Sequence, residues 1–194
     1  MKFIKLYESF EDIDSICKKY DIKNYTINSD GTIDVDGNVY FHPKNPSYSK
    51  LTKLPLKFGK VSGNFLCNFN QLITLEFCPQ SIGGDFSCYS NQLTSLEFCP
   101  QSVGGYVNFQ NNKLKDLYGF PEFFDNSIYY NNNPVSEILD LFKTKRLGKV
   151  IDLLNEYGVI QQGGKVVILD RLEEVFYTLS IEIPKEIKLA NYEV

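Results

Sequence analysis

The sequence predicts an α/β repeat solenoid, because one 21-residue pattern recurs nearly four times over residues 51–133. The first observation is a series of leucines with this spacing, namely Leu51, Leu72, Leu93 and Leu114. The second is a series of asparagines, namely Asn70, Asn91, Asn112 and Asn133. The third is a series of glycines, namely Gly63, Gly84 and Gly105. A fixed period of this size is typical of a solenoid, in which each repeat stacks on its neighbours.

Length and charge limit the classes of protein that fit. The 194 residues suffice for one elongated repeat array with a cap at each end. We divide the chain into an N-terminal cap over 1–50, repeats over 51–133 and a C-terminal unit over 134–194. The 20 basic and 24 acidic residues give a formal charge of −4, so no basic surface would attract a phosphate backbone. Nucleic acid is therefore not an expected partner.

Neither a signal peptide nor a membrane span is predicted. Glu8 and Glu11 interrupt the N-terminal region before an apolar stretch reaches the length of a signal peptide. No later apolar run is long enough to cross a bilayer. We expect a soluble, cytoplasmic protein without membrane partners, in which the cysteines stay reduced.

Four of the five cysteines follow the 21-residue period, and none has C-x-x-C spacing. Cys67 precedes Cys88 by one period, and Cys78 precedes Cys99 in the same way. We expect these side chains to be small apolar fillers of the solenoid core. A metal or disulfide role is the less favoured alternative, and no cofactor is predicted.

The N-terminal cap is predicted to be a helix followed by a β-hairpin. Residues 9–20 show the apolar stripe of an amphipathic helix, and Ser9 with Asp12 resembles a capping box. Apolar and polar residues then alternate on both sides of Asp36-Gly37-Asn38, which predicts a hairpin with its turn there. His42, the only histidine, begins a proline-containing loop and is expected to be a surface residue.

Each repeat is predicted to hold one short strand and a return segment without a helix. In the third copy, Val107 and Phe109 alternate with polar residues, which indicates a strand with one face buried. The following Asn112 is expected to bond to the backbone of neighbouring turns. Gly104-Gly105 suits a tight turn, and the proline of each return segment keeps it extended.

The repeated phrase apolar-x-apolar-x-x-Asn-x-Leu resembles the leucine-rich repeat, and the resemblance covers about 83 residues. It implies a solenoid whose parallel strands line a concave face, with a mostly irregular convex side. The phrases DGTIDVDGNVYF and LTKLPLKFGKVSGNF also look like small leucine-rich-repeat proteins of tailed bacteriophages and mobile elements. That likeness implies a setting in a bacterial host cytoplasm, and it transfers no site residue.

The C-terminal unit is predicted to be αβα. After Pro134, the stretches SEILDLFKT and GKVIDLLNEYGV have helical patterns, and Gly158 is a natural stop. Residues 165–169 then favour a strand, and Asp170 with Glu173 is expected to cap a last helix. The final ten residues are expected to be a tail. Whether the unit is only a cap or a small docking domain stays open.

The outward residues of the strands are the candidate binding surface on the concave face. They are polar, nearly uncharged and rich in aromatic side chains, a mixture typical of protein recognition. A solvated sheet face without a ligand is an equally good interpretation, and a small molecule or glycan is a third. The candidate residues are Asn64, Leu66, Asn68, Phe69, Asp85, Ser87, Tyr89, Tyr106, Asn108, Gln110, Ser127, Tyr129 and Asn131.

No enzyme is predicted, because the chain lacks a phosphate-binding loop, an H-E-x-x-H motif and a G-x-S-x-G motif. The expected function is that of a protein–protein interaction module. The phage resemblance implies a partner that is a host or phage protein, such as a host defence factor. The alternative is a structural or assembly component of a virion, with the solenoid as scaffold.

Overall fold

The protein is a parallel β-solenoid of about four turns with repeats of about 21 residues, followed by short C-terminal helices. This confirms the predicted solenoid, its parallel strands and the absence of helix from the return segments. The computed structural model describes residues 13–41, 50–121, 123–124, 127–142, 147–161 and 163–194.

Two sheets run the length of the solenoid, and each turn contributes one short strand to each of them. Sheet A contains β1 (Tyr25–Ile27), β2 (Ile33–Val35), β4 (Phe58–Val61), β6 (Ser81–Ile82), β8 (Ser102–Val103) and β10 (Phe123–Phe124). Sheet B contains β3 (Val39–Tyr40), β5 (Phe65–Leu66), β7 (Phe86–Ser87), β9 (Val107–Asn108) and β11 (Ile128–Tyr129). All these strands pair in parallel except β1, which is antiparallel to β2. Sheet B is the predicted sheet. Sheet A was not predicted, and it replaces the irregular side expected opposite sheet B.

The register of sheet B follows the sequence period. Phe65 pairs with Phe86, Phe86 with Val107, and Val107 with Ile128, so neighbours differ by 21 positions. Strands this short satisfy few backbone groups by themselves, and the bonds to the neighbouring turns hold them in place.

The N-terminal hairpin lies at a different place from the predicted one. Asp36-Gly37-Asn38 is predicted as the hairpin turn, but β2 pairs with β1 in an antiparallel ladder that joins Thr26 to Asp34. Strands β2 and β3 instead lie in different sheets and run parallel to β4 and β5. Asp36-Gly37-Asn38 is therefore a corner of the solenoid, equivalent to Ser62-Gly63-Asn64 one turn later.

The N-terminal helix is described over residues 13–19, as α1. Its predicted start, with Ser9 and Asp12, lies outside the described residues, and so does His42. Cys17 on this helix is buried within the same apolar core as the repeats.

Apolar side chains fill the space between the sheets as one continuous core. The repeated leucines, such as Leu72 and Leu75, are fully buried, and each stabilises the fold by roughly 2 kcal/mol. The rings of Phe65 and Phe86 lie 6.3 Å apart between centroids in consecutive turns. All five cysteines are free and buried, so the predicted placement of the thiols in the core is confirmed.

The C-terminal unit contains α2 (Ser136–Leu139), α3 (Leu147–Glu156), β12 (Ile160–Gln161), β13 (Val166–Val167) and α4 (Leu169–Thr178). The strand predicted over 165–169 is present only as Val166–Val167, and it pairs in antiparallel fashion with β12, which was not predicted. The predicted capping of the last helix by Asp170 and Glu173 is wrong. Helix α4 begins at Leu169 after an N-cap at Ile168, whose side chain cannot cap, and Asp170 lies within the first turn.

The C-terminal unit packs directly on the last turns of the solenoid. The backbone N–H of Val135 donates to the carbonyl of Leu114, and the Asn155 amide donates to the carbonyl of Leu117 at 3.4 Å. The predicted tail also docks, because the Tyr192 hydroxyl donates to the carbonyl of Lys115 at 2.8 Å. Glu193 forms a bridge with Val166 beside β13. The open end of the core is thereby covered.

Candidate functional site

The outward side of sheet B, called here the sheet B face, holds the predicted binding residues. The strands alternate as predicted, since Phe65 and Val107 point into the core while Leu66, Asn108 and Tyr129 are at least partly exposed. The backbone of this face is fixed on both sides by neighbouring turns, so it presents its side chains on a rigid surface.

Two predicted face residues are buried and cannot form a free surface. Ser87 is 2% exposed, and its hydroxyl lies 3.5 Å from the Asn108 carbonyl of the next turn. Asn68 is 8% exposed, and its side-chain oxygen accepts the backbone N–H of Tyr89 at 3.2 Å. Both side chains are short enough to bond to the adjacent strand. This explains why the alternation, which predicts an outward direction, does not make them accessible.

Two further predicted residues form a corner series between the sheets. The side-chain oxygen of Asn64 accepts the backbone N–H of Asp85 at 2.8 Å. The carboxylate of Asp85 accepts the backbone N–H of Tyr106 at 3.0 Å. Each side chain thus bonds to the equivalent position one turn later, and these oxygens are already engaged by the fold.

Aromatic side chains of the face meet in pairs across neighbouring turns. Tyr106 and Tyr129 are 5.8 Å apart between ring centroids in an edge-to-face arrangement, and Tyr129 is 42% exposed. Phe69 and Tyr89 are 4.5 Å apart, also edge-to-face. Such pairs restrict the rings to defined orientations before any ligand arrives.

Amide side chains form a second set of contacts along the same face. The Gln110 amide donates to the side-chain oxygen of Asn131 at 3.3 Å. The Asn132 amide donates to the side-chain oxygen of Asn111 at 2.7 Å. Ser127 and Asn131 are exposed at the C-terminal end of the face. These amides retain further donors and acceptors that can bond to a ligand.

One face residue was missed by the sequence analysis. Tyr40 of β3 is 40% exposed, and it pairs with Leu66 of the next turn. The interval between these positions is 26 residues, because the chain inserts a longer loop between the first two turns. The similarity of VDGNVYF to the later corner-and-strand phrases was the signal that could have found Tyr40.

The sheet B face is nearly neutral. Its acid is Asp85, and burial together with this carboxylate raises the pKa of the Tyr106 hydroxyl. The hydroxyl therefore stays protonated near neutral pH and can donate a hydrogen bond. A face of this kind gives little long-range steering, so shape and hydrogen bonding would determine its partners.

The repeated cysteines do not belong to this surface. Burial raises the pKa of the Cys67 thiol to about 12, and burial also raises the pKa values of Cys78, Cys88 and Cys99. Their thiolate forms are disfavoured, so these groups are poor nucleophiles. Within the described ranges, no group of three or more His, Cys, Asp or Glu residues is arranged to hold a metal ion.

The described helices are all too short or too polar to cross a membrane. The geometry of the chain thus provides a rigid two-sheet solenoid with a neutral, aromatic and amide-rich face. No protein-family model, curated protein or solved structure matches this chain.

Proposed function

We propose that the protein is a non-enzymatic protein–protein interaction module that binds its partner through the sheet B face. The observation that carries this proposal is the exposed row of paired aromatic rings and amides on a rigid sheet, centred on Tyr106, Tyr129, Gln110 and Asn131. Paired tyrosines provide contact area at a low cost in side-chain entropy. The amides provide hydrogen bonds whose direction selects among partners.

The finer identity of the solenoid is part of the same proposal. The phrase apolar-x-apolar-x-x-Asn-x-Leu supports a leucine-rich repeat of the short kind found in tailed bacteriophages and mobile elements. On that assignment, the protein acts in the cytoplasm of a bacterial host. Its partner is then a host or phage protein, and a host defence factor would fit a protein of phage origin.

The experiment compares tagged proteins expressed in a bacterial host. The test variant is Tyr129→Arg, which places a long charged side chain in the middle of the neutral face. The matched control is Tyr177→Arg, the same change on α4, where Tyr177 is 81% exposed. Thermal melting of both variants checks that each has folded, since surface changes of this kind alter stability by about 0.5 kcal/mol or less.

A protein that is retained by the wild type and by Tyr177→Arg, but lost with Tyr129→Arg, would support the proposal. Equal retention by all three proteins would contradict it. An assembly role in a virion predicts instead that the purified protein forms larger particles as its concentration rises. Analytical ultracentrifugation separates the two functions, because an interaction module sediments as one small species.

A further inference from the structure

Three phenylalanines, namely Phe69, Phe77 and Phe98, occupy a backbone conformation that favours glycine, and the last two are equivalent positions of consecutive turns. Phe77 has a φ of +76° and Phe98 a φ of +65°, both in the left-handed region. The equivalent residue one turn later is Gly119, with a φ of +82°. A bulky residue is strained in this conformation, whereas glycine adopts it without steric conflict.

The local turn requires this conformation in all three copies. The N–H of the following residue donates to a carbonyl three positions earlier, as from Cys99 to Leu96 at 2.9 Å and from Phe120 to Leu117 at 3.1 Å. Gly119 shows that glycine satisfies the turn. The phenylalanines at the other two copies therefore need a reason beyond the turn itself.

Burial of the rings does not supply that reason. Phe98 is 54% exposed, so much of its apolar surface stays in contact with water. Phe77 is only partly buried against the core. By contrast, Phe86 and Phe109 of sheet B are fully buried. The strained position of Phe98 thus carries a largely exposed ring, whereas the Phe77 ring lies at the edge of the core.

A groove of about 760 Å³ lies between these rings, on the side of the molecule that carries sheet A. Phe77 and Phe98 supply its apolar surface, and the exposed side chains of Gln80 and Gln101 flank them. The Gln101 amide donates one bond to the Cys99 carbonyl at 3.1 Å and keeps a second N–H and its oxygen for a ligand. We call this site the Phe groove. Its position is distinct from the sheet B face, since none of its residues belongs to β5, β7, β9 or β11.

Charge in the Phe groove comes from Asp30, Lys57 and Glu76. Asp30 is engaged within the chain, because its carboxylate accepts bonds from the Thr32 hydroxyl and backbone N–H, and Lys57 lies near it. Glu76 is exposed next to Phe77. Ion pairs among the described residues join Lys23 to Asp21 and Lys188 to Glu186, so none of them neutralises Glu76.

We propose that the Phe groove is a second docking surface, which binds an extended, arginine-bearing segment of a partner protein. The arginine stem packs between Phe77 and Phe98, and its guanidinium group stacks on a ring while pairing with Glu76. Arginine fits better than lysine, because its planar group both stacks on aromatic faces and binds carboxylates with two parallel bonds. The amides of Gln80 and Gln101 bond to the backbone of the bound segment.

The first test uses Phe98→Gly, a change that the turn itself favours. The probe is the acetylated, amidated peptide Ser-Arg-Leu-Arg-Ser, titrated into ¹⁵N-labelled protein. We expect saturable shifts of the Gln80 and Gln101 side-chain amides in the wild type, and affinity reduced by about tenfold in Phe98→Gly. The melting temperature of Phe98→Gly should equal or exceed that of the wild type, because glycine relieves the strain at this φ.

Three controls make the result specific. Glu76→Gln should also weaken binding, and the peptide Ser-Lys-Leu-Lys-Ser should bind less tightly although its charge is the same. Tyr129→Arg, on the sheet B face, should bind Ser-Arg-Leu-Arg-Ser as the wild type does. This last control keeps the test independent of the proposed function.

Four results would each overturn the proposal. They are unsaturable shifts in the wild type, unchanged affinity in Phe98→Gly, equal binding of the lysine peptide, and a clearly lower melting temperature for Phe98→Gly. Line broadening of Gln80 and Gln101 that grows with protein concentration would also overturn it, since the occupant would then be a second copy of the chain.

Discussion

At the scale of single residues, the buried asparagines fasten one turn of the solenoid to the next. The Asn91 amide donates to the carbonyls of Cys67 and Cys88, at 3.0 Å and 2.9 Å. Its oxygen accepts the N–H of Leu72 at 2.9 Å. Asn112 repeats the pattern, with its oxygen accepting from Leu93. A buried amide is tolerated here because each of these bonds is satisfied, and loss of the side chain would leave the buried N–H of Leu72 without its partner.

Asn91→Ala is therefore expected to lower the free energy of unfolding by about 2 kcal/mol, since the buried N–H of Leu72 loses its partner and the carbonyls of Cys67 and Cys88 each keep one asparagine donor. Urea denaturation followed by circular dichroism measures the change. The matched control is Asn131→Ala at the exposed end of the sheet B face, which should alter stability by about 0.5 kcal/mol or less. Equal losses of stability in Asn91→Ala and Asn131→Ala would contradict the view that the buried asparagines in particular hold the turns together.

At the scale of the elements, the corners between the two sheets depend on a glycine that faces a side chain of the preceding turn. A Cβ atom on Gly84 would lie 2.1 Å from the side-chain oxygen of Asn64. A Cβ atom on Gly105 would lie 2.1 Å from a carboxylate oxygen of Asp85. The space that glycine leaves is thus filled by the group that accepts a backbone N–H of the next turn. Each corner is therefore built from a glycine and the polar side chain of the preceding turn that packs against it.

The coupling between these two residues can be measured. Gly84→Ala should cost about 2 kcal/mol through the steric overlap, and Asn64→Ala about 1 kcal/mol through the lost bond to Asp85. The double variant should be less destabilised than the sum by about 1 kcal/mol, because removing the Asn64 side chain relieves the overlap. Urea denaturation of all four proteins gives this difference.

Gly104→Ala is the control for this double-mutant cycle of Gly84 and Asn64. A Cβ atom there would lie 2.3 Å from the backbone oxygen of Gly83, which Asn64→Ala does not remove. The effects of Gly104→Ala and Asn64→Ala should therefore add to within about 0.5 kcal/mol. If the effects of Gly84→Ala and Asn64→Ala were also additive, the proposed contact between these two residues would be contradicted.

At the scale of the whole molecule, the C-terminal segment closes the solenoid by returning to its last turns. Tyr192 is 8% exposed, and its hydroxyl donates to the carbonyl of Lys115. The Asn191 backbone N–H donates to the Glu137 carboxylate at 3.1 Å, which ties the tail to α2. Burial raises the pKa of Tyr192 well above its usual value, and Glu137 and Asp116 add to the effect. The closed form therefore requires a neutral tyrosine.

The pKa of Tyr192 is higher in the folded state than in the unfolded chain, so its stabilising effect is complete below about pH 10 and is lost as pH rises further. Tyr192→Phe should be about 1 kcal/mol less stable than the wild type at about pH 8, since it lacks the bond to Lys115. This difference should shrink above about pH 10 and reverse near about pH 11, because phenylalanine does not ionise.

Denaturation at a series of pH values gives this comparison. Buried thiols destabilise the wild type and Tyr192→Phe alike at high pH, so the difference between the two proteins isolates Tyr192. Tyr177→Phe, at an exposed position of α4, should follow the wild type throughout. A constant difference between the wild type and Tyr192→Phe across the range would contradict docking of a neutral Tyr192.

The period, the parallel stacking and the chemistry of the buried positions could be predicted from the sequence. The leucine series and the asparagine series repeat at 21 residues, so each residue type meets its own copy in the next turn. The alternation in β5 and β9 also placed Phe65 and Val107 in the core, since period-two patterns directly encode the two faces of a strand. Exposed aromatic and amide positions such as Tyr129 and Gln110 followed from the same pattern.

Which of these positions are free, and where the solenoid begins and ends, depends on contacts between turns. Ser87 and Asn68 are outward by pattern but buried, because each bonds to a strand one turn away. Sheet A was not recognised, because strands such as Ser81–Ile82 and Ser102–Val103 lie in the proline- and glycine-containing return segments and each has one apolar residue instead of an alternation. The corner at Asp36-Gly37-Asn38 and the docking of Tyr192 likewise depend on contacts between residues distant in sequence. Local periodicity encodes what each turn buries, whereas contacts between turns settle what remains exposed.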